Sequence, residues 1–221
     1  MEIDTAAQEL LTGSAMAAAP IFINQQYVIK RSHEHLVMPW ANGRGTSIEV
    51  ACDTPGTKGW RWRVAIAPVM EDGDFSYLAN VDRQLTIIVP DTAMVLDVDG
   101  AYFDCQPFNV VAFPGDAKRI HAHLLNGPLT DLGLMVVRNT ATGKLSCFWH
   151  PGPLDRATMI IALSDDVCLN VAGTLVYLCS WDACIFPANF GDDDPALLSV
   201  PSAFTLSLQK GSIAHIFINV M

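Results

Sequence analysis

The chain has 221 residues, of which 51% are hydrophobic and 16% are charged, so it can bury a large core and is typical of a globular protein with one sizeable all-β domain or two small fused ones. Lys and Arg number 13 against 23 Asp and Glu, which gives a formal net charge of −10. This charge excludes the positive field on which non-specific nucleic-acid binding depends, so we expect no nucleic-acid partner. An anionic ligand can still bind a local cluster of arginines.

The N-terminal segment 1–20 is expected to be flexible. It carries acidic Glu2 and Asp4 where a signal peptide has basic residues, and it has no long apolar core, so no signal peptide is predicted. No run of about 18 apolar residues occurs elsewhere, which predicts no membrane partner. The six cysteines contain no CxxC pair and favour buried, reduced thiols. A cytoplasmic location is the simplest expectation.

From residue 21 onward the hydrophobic pattern has a period of two. Short β-branched and aromatic runs recur between turn signals, from FINQQYVIKR and TSIEVAC through WRWRVAIAPV, QLTIIVP and LGLMVVR to TLVYLCS and SIAHIFINV. Convincing helices are scarce. The pattern predicts an all-β fold, a sandwich or a barrel.

The late strands predict a second unit. From about residue 156 the chain again delivers four or five strands of similar length, with turn-like glycines at 173 and 211. We therefore predict two stacked jelly-roll units, with a first barrel over residues 21–140 that holds the candidate pocket and a second, smaller barrel over residues 141–221.

The NGRG run at 42–45 predicts a tight turn, because glycine tolerates positive φ and asparagine commonly begins turns. Thr46 and Glu49 follow at an odd spacing, so they reach one pocket only if Thr46 belongs to the turn or a bulge intervenes. Glu49 shares its face with Ser47. Its carboxylate can pair with Arg63 or accept a ligand N–H, or it is an exposed strand charge.

The segment WRWRVAIA at 60–67 predicts a strand with two different faces. The bulky face holds Trp60, Trp62, Val64 and Ile66, and the other face holds Arg61, Arg63, Ala65 and Ala67. The bulky face can pack against a second layer, while the alanines beside Arg63 leave open volume, as in a cavity wall with one cation. The alternative is that the arginine face meets solvent.

Asp82 and Arg83 precede the strand-like run QLTIIVP. The planar Arg83 guanidinium suits a carboxylate, and Asp82 can orient it or cap the preceding turn, although such a pair also serves purely structural roles. As the main anchor for a carboxylate we prefer Arg63, because Ala65 and Ala67 leave it room. Arg83 is the reserve.

The motifs in this region resemble a known family. The combination of PWANGRGTSIEV, WRWRVAIAPV, DGDFS, VDRQLTII, FPGD and GPLTDLGLMVVR is similar to the HutD family, also called Ves-like. The resemblance is strong over residues 25–140 and weak over the remainder. The chain departs from the family motifs at Arg44 in place of glycine, at Asp74 in place of proline and at Gly133 in place of asparagine.

The resemblance implies a bicupin, with two cupin-like β-barrels in one chain, associated with histidine utilisation in bacteria. It also implies a non-catalytic protein that binds a small carboxylate metabolite, with N-formylglutamate as the ligand proposed for the family, and that regulates amino-acid catabolism. The expected ligand-binding residues are Trp40, Asn42, Thr46, Glu49, Arg63, Phe75, Ser76 and Arg83. A small anionic metabolite is the expected partner, and exposed sheet edges leave room for a homodimer.

His121 and His123 have the spacing that puts two imidazoles on one strand face, as in the metal sites of cupin enzymes. No glutamate follows in the sequence LLNGPLTD, so the further ligands of such a site are missing. We therefore predict no metal, no cofactor and no catalytic residue. The alternative is a metal-dependent cupin enzyme, an isomerase or an oxygenase, that uses His121 and His123.

Overall fold

The computed structural model describes residues 22–23, 27–40, 45–54, 59–186 and 205–221. The N-terminal segment 1–20, predicted to be flexible, lies outside the described residues, and so do Asn42 and Arg44 of the predicted turn. Within the described ranges, no helix is long and apolar enough to cross a membrane.

The described chain is built from strands, with one 3-10 turn at Ser32–Glu34. The first ten strands are β1 (Phe22–Ile23), β2 (Tyr27–Lys30), β3 (Leu36–Pro39), β4 (Thr46–Cys52), β5 (Trp62–Val69), β6 (Gly73–Asp74), β7 (Val81–Ile87), β8 (Met94–Val98), β9 (Ala101–Cys105) and β10 (Val111–Pro114). The others are β11 (Ile120–Leu124), β12 (Leu129–Val137), β13 (Ala141–Phe148), β14 (Gly152–Pro153), β15 (Met159–Ala162), β16 (Val167–Val171), β17 (Thr174–Leu178), β18 (Ala183–Ile185), β19 (Leu206–Lys210) and β20 (Ile213–Val220).

These strands form four sheets with antiparallel ladders. Sheet 1 has the order β6-β11-β8-β9, sheet 2 the order β10-β7-β12-β5-β4-β3, sheet 3 the order β1-β2-β18-β15-β20-β13, and sheet 4 the order β14-β19-β16-β17. Successive side chains of each strand point to opposite faces of its sheet, so a sheet can be buried on one face or on both.

The sheets stack in the order 1, 2, 3, 4 around three large apolar cores, and a small fourth cluster of Ala65, Val81 and Met135 lies on sheet 2. One core lies between sheets 1 and 2 and includes Leu85, Met94 and Ile120. A second, here called the middle core, lies between sheets 2 and 3 and includes Trp62 and Leu132. The third lies between sheets 3 and 4. The central strands of sheets 2 and 3 are therefore largely buried on both faces, which explains their long apolar runs.

The predicted all-β fold is confirmed, whereas the predicted pair of closed barrels is not. Among the described strands no sheet closes on itself, since each of the four ladders ends in two edge strands. The sheets instead enclose their cores by packing face to face. The division at residue 140 stays a prediction. Strand β2 crosses it, because Tyr27–Lys30 pairs with β18 in the sheet of the later strands.

Candidate functional site

The side chains of β5 alternate between two environments, as predicted from Trp62 to Ala67. Trp62, Val64 and Ile66 are fully buried in the middle core. The residues between them point the other way, toward sheet 1, as does Val69 in the core between sheets 1 and 2. Trp60 precedes the strand and packs beside Ala65, not on the bulky face.

Strands β5, β12 and β7 place charged and small residues on the face of sheet 2 that looks toward sheet 1, here called the interior face. The cross-strand rows on this face are Arg63–Met135–Arg83, Ala65–Gly133–Leu85 and Ala67–Asp131–Ile87. Direct partners on antiparallel strands point to the same side of the sheet. The interior face therefore has two arginines at one end, two small residues beside Leu85 in the middle and an aspartate at the other end. With a strand spacing of about 4.8 Å, the two arginine Cα atoms lie about 10 Å apart.

Glu49 and Arg63 form a buried ion pair at the β4 side of the interior face. Arg63 Nε lies 2.9 Å from Glu49 Oε2, and Arg63 Nη2 donates to Ser47 Oγ at 3.1 Å. The Nε–H is not aligned for a hydrogen bond with the carboxylate, so this contact is an ion pair. Burial, together with the Glu49 charge, raises the pKa of the Cys52 thiol, which points at Glu49, to about 11. The pair is electrically neutral without a ligand.

Arg83 packs against two aromatic rings at the β7 side. Its Cζ atom is 4.8 Å from the centre of the Phe75 ring and 5.3 Å from that of Phe113. Burial lowers the pKa of Arg83 to about 10, and the Asp131 charge opposes this shift. Arg83 is surrounded by protein atoms, yet part of its surface still touches solvent. Within the described residues it forms no hydrogen bond and no ion pair.

Gly115 allows Arg83 to take this position. A Cβ atom added at Gly115 would lie 3.2 Å from Arg83 Cδ and 3.0 Å from the carbonyl oxygen of Val81. Its own N–H donates to that carbonyl at 2.7 Å. Gly115 therefore lets the Arg83 stem pack directly against the backbone.

Asp131 is the buried acid of the interior face, with 4% of its surface exposed. Burial raises the pKa of its carboxyl group to about 7, while the positive charge of Arg83 acts in the opposite direction. The two groups do not form a direct ion pair, and in the part of the chain that the structure describes the Asp131 carboxyl has no hydrogen-bond partner. Its oxygens are not among the fully buried side-chain atoms that lack a partner, so the carboxyl can accept a hydrogen bond from water or from a ligand.

Gly133 opens space between these charged groups. A Cβ atom added there would meet only backbone carbonyl oxygens, of Gln84 at 3.9 Å and of Ala65 at 4.0 Å. Both distances are ordinary van der Waals contacts. The interior face therefore has free space at Gly133, beside the small side chain of Ala65.

The structure brings together four of the eight residues that the sequence predicted for the site, namely Glu49, Arg63, Phe75 and Arg83. Thr46 is exposed. The bulge in β4 follows Glu49, so it does not turn Thr46 toward the interior face.

The other predicted residues lie outside this group or cannot be placed. The Trp40 ring packs on Gly45, where a Cβ atom would lie 3.0 Å from it. Ser76 is half-buried and follows Phe75. Asn42 lies outside the described residues.

Sequence reasoning missed Ser47, Phe113, Gly115 and Asp131 as members of the site. A usable signal existed for two of them. Ser47 shares the face of Glu49 by period two, and Asp131 is the only ionisable residue in the apolar run LTDLGLMVV. Phe113 and Gly115 lie in the FPGD motif, but no local pattern connects that motif to Arg83.

His121 and His123 point away from the interior face. Their neighbours Ile120 and Ala122 pack in the core between sheets 1 and 2, so the two imidazoles lie on the outer face of sheet 1. There His121 Nδ1 is 2.6 Å from Asp74 Oδ1, and the two histidine rings are 4.5 Å apart. Within the described ranges no group of three or more His, Cys, Asp or Glu side chains is arranged to hold a metal ion.

Comparison with known proteins decides the family. The model of the HutD family matches residues 32–214. The chain belongs to the HutD family. An uncharacterised 21.2 kDa protein in the hutC 3' region of Pseudomonas putida is 31% identical over 153 residues, which cover 67% of this chain and 80% of that protein. Protein Ves of Citrobacter koseri is 29% identical over 107 residues, 48% of this chain and 56% of its own length.

Two solved structures share the fold. A conserved protein of unknown function from Pseudomonas aeruginosa PAO1 superposes with a TM-score of 0.73 at 24% identity, covering 88% of this chain and 99% of that one. HutD from Pseudomonas fluorescens SBW25, in a formate condition, superposes with a TM-score of 0.69 at 24% identity and the same coverage. At these identities the likeness shows the fold alone.

Proposed function

We propose that this HutD-family protein is a non-catalytic binder of a small carboxylate metabolite, held on the interior face with Arg83 as its anchor. The observation that carries the proposal is the state of Arg83. It is a half-buried cation that packs against two phenyl rings and has no ion pair among the described residues. Burying a charge without a partner is costly, so such a group is suited to an anionic ligand that supplies the missing charge.

The two arginines differ in how much binding capacity they have left. Arg63 is already paired with Glu49 and Ser47. A ligand would have to compete with a carboxylate held 2.9 Å away. Arg83 faces no such competition from the described residues, and its guanidinium contacts the rings of Phe75 and Phe113 while it can still donate along its planar edge. Arg83 therefore replaces Arg63 as the preferred anchor.

The shape of the interior face favours a small ligand. Gly133, on the strand next to Arg83, leaves space on the interior face, and Ala65 and Ala67 follow on β5 with small side chains, while the Phe75 and Phe113 rings bound the guanidinium. A carboxylate matches a guanidinium edge with two parallel hydrogen bonds. The face thus combines a specific anionic contact with apolar walls, as small-molecule sites generally do.

The wider role is proposed from the relatives. One of them is named from its place in a hutC region, and another structure is titled HutD in a formate condition. We extend this context to a role in histidine or amino-acid catabolism, with an acid of the N-formylglutamate kind as the ligand. We also propose that sheets 1 and 2, and sheets 3 and 4, are the two cupin-like units.

Calorimetric titration with formate, acetate, succinate, glutarate and N-formylglutamate tests the proposal. We expect saturable binding of at least one of these acids, and a loss of about 1.5–3 kcal/mol, roughly ten- to more than a hundredfold in affinity, in Arg83→Ala. Arg83→Lys should recover only part of the loss, because an ammonium lacks the planar fork. Lys118→Ala, an exposed charge removed elsewhere, is the matched control. Unchanged affinity in a folded Arg83→Ala variant would place the ligand elsewhere.

A further inference from the structure

Two oppositely charged groups remain unpaired on the interior face. Arg83 and Asp131 lie on the same face of the neighbouring strands β7 and β12, two cross-strand rows apart, and do not touch. Apart from the long-range attraction between their charges, neither has a polar partner in the part of the chain that the structure describes. Above about pH 7 the interior face therefore carries one positive and one negative charge, which offset each other only at a distance.

A carboxylate ligand would upset this balance. If it binds Arg83, the interior holds one positive and two negative charges, and Asp131 loses the attraction that favours its ionised form. A net charge in a desolvated interior is costly, so the charged group that is least stabilised by its surroundings is the first to be neutralised. Arg83 keeps its proton because its ion pair with the ligand favours the charged form. Asp131 has no hydrogen bond to hold its negative charge.

Resting on the proposed function, we propose that binding of a carboxylate at Arg83 is coupled to the uptake of one proton by Asp131, so that the filled interior carries no net charge. The ligand arrives ionised, a proton from solvent attaches to an Oδ atom of Asp131, and Arg83 remains protonated. No other bond forms or breaks. The protonated Asp131 can then donate a hydrogen bond to the ligand, which the carboxylate form could not do.

The groups around Asp131 do not offer another site for this proton. From β7 it faces Arg83, and from β9 the Cys105 thiol, whose pKa is raised to about 12 by burial and then by the carboxylates of Asp104 and Asp131. The side chains that β8, β10 and β11 pack into the same core are apolar. Glu49 on β4 already has the Arg63 counter-charge.

The coupling sets a direction for the pH dependence. Because burial raises the pKa of the free Asp131 to about 7, and binding raises it further, the complex gains a proton relative to the free protein above about pH 7. Affinity should therefore fall as pH rises from 7, by up to about tenfold per pH unit, and should level off below 7.

The experiment is calorimetric titration of the full chain with acetate, and with succinate as a second probe, at pH 7.5 in HEPES and in Tris, whose ionisation enthalpies differ. In the wild type we expect a binding enthalpy that depends on the buffer, corresponding to uptake of up to one proton. In Asp131→Asn this dependence should vanish, together with the fall in affinity between pH 7 and 8.5.

The possible results of this titration distinguish failure of the proton coupling from failure of the proposed function. Binding with the same enthalpy in both buffers overturns the coupling and leaves the proposed function standing. A buffer dependence that persists in Asp131→Asn assigns the proton to another group and also overturns the coupling. Failure of every acid in the panel to bind overturns the proposed function, and the coupling with it. Should Asp131→Asn fail to fold, the wild-type buffer dependence still tests proton uptake.

Discussion

Glu49 and Arg63 neutralise each other on the interior face, with Oε2 of one 2.9 Å from Nε of the other. They lie on neighbouring strands, and Ser47 supports the arginine from the same strand as the glutamate. Both side chains are largely buried. The pair therefore contributes mainly to the stability of the fold, whereas Arg83 is proposed to contribute to ligand binding.

Replacing Arg63 with Ala should destabilise the fold. The change leaves the Glu49 carboxylate buried without its counter-charge, which typically costs about 3–5 kcal/mol. Urea unfolding of the single variant and of Arg63→Ala with Glu49→Gln measures the effect, and the double variant should regain part of the loss. A stability of Arg63→Ala within about 0.5 kcal/mol of the wild type would mean that the pair is effectively solvated.

Replacing Gly115 with Ala should weaken carboxylate binding. The new Cβ atom would lie 3.2 Å from Arg83 Cδ, so the guanidinium must shift from its position against Phe75 and Phe113. We expect a loss of about tenfold in affinity, which corresponds to about 1.4 kcal/mol. Gly152→Ala is the control, because a Cβ atom at Gly152 meets nothing within 4 Å. Equal affinities in the two variants would contradict a role for the Arg83 position.

Filling the space above Gly133 should abolish binding while the fold survives. Gly133→Leu places a large side chain on the interior face between Arg83 and Asp131, whereas Gly133→Ala adds only a Cβ atom at ordinary contact distance. Calorimetry should show no saturable binding in the first variant and near wild-type affinity in the second. Thermal unfolding verifies that both are folded. Binding by a folded Gly133→Leu protein would place the ligand away from the interior face.

Asp131→Asn should be more stable than the wild type at pH 8 but not at pH 5. An acid whose pKa is raised in the folded state binds its proton more tightly there, so stability falls as pH rises from the unfolded value near 4 to the folded value of about 7. At pH 5 the folded wild type has a neutral Asp131, as the variant has a neutral Asn. Thermal unfolding of both proteins at each pH gives the comparison.

The stability of Asp131→Asn must be compared with that of the wild type at each pH, because another buried group changes stability with pH in the opposite direction. His35 is buried and its ring nitrogens have no hydrogen-bond partner among the described residues. Burial lowers its pKa to about 4, with Lys30 adding to the shift. Stability from this group is therefore lost as pH falls below about 6.5. That loss is common to wild type and Asp131→Asn, so it cancels in their difference. A constant difference at pH 5 and 8 would argue against a raised pKa of Asp131.

Removing both outer-face histidines should leave carboxylate binding intact. His121 and His123 lie on the far side of β11 from the core, next to Asp74 and Asp72. Titration of the variant with His121→Ala and His123→Ala should match the wild type, and elemental analysis of purified protein should find no stoichiometric metal. One metal per chain that disappears in the double variant would favour the alternative, a metal-dependent enzyme.

Much of the local structure could be predicted from the sequence. The period-two runs predicted an all-β fold, and the segment WRWRVAIA predicted the two environments of β5 from Trp62 onward. The motifs around Arg63, Phe75 and Arg83 predicted the family. Each of these inferences uses residues close together in the chain, where strand geometry alone decides which side chains share a face.

The partners of the charged residues could not be predicted in the same way. The pairing of Glu49 with Arg63 was one of several alternatives that the sequence left open. Asp131 received no predicted role, because the local sequence around an acid in an apolar strand does not show whether the folded protein places a cation near it. The register of β12 between β5 and β7 brings Asp131 to the same face as Arg83. Gly115 likewise contacts Arg83 only because β10 pairs with β7.

The sequence by itself therefore determined the all-β class, the family and the face of sheet 2 on which the arginines lie. Only the tertiary structure decided which arginine has a counter-charge, which acid is buried without a partner, and that His121 and His123 point away from them. The physical reason is that alternation along a strand is a local property, whereas burial and ion pairing depend on strands that are distant in the chain and meet only through sheet register and packing.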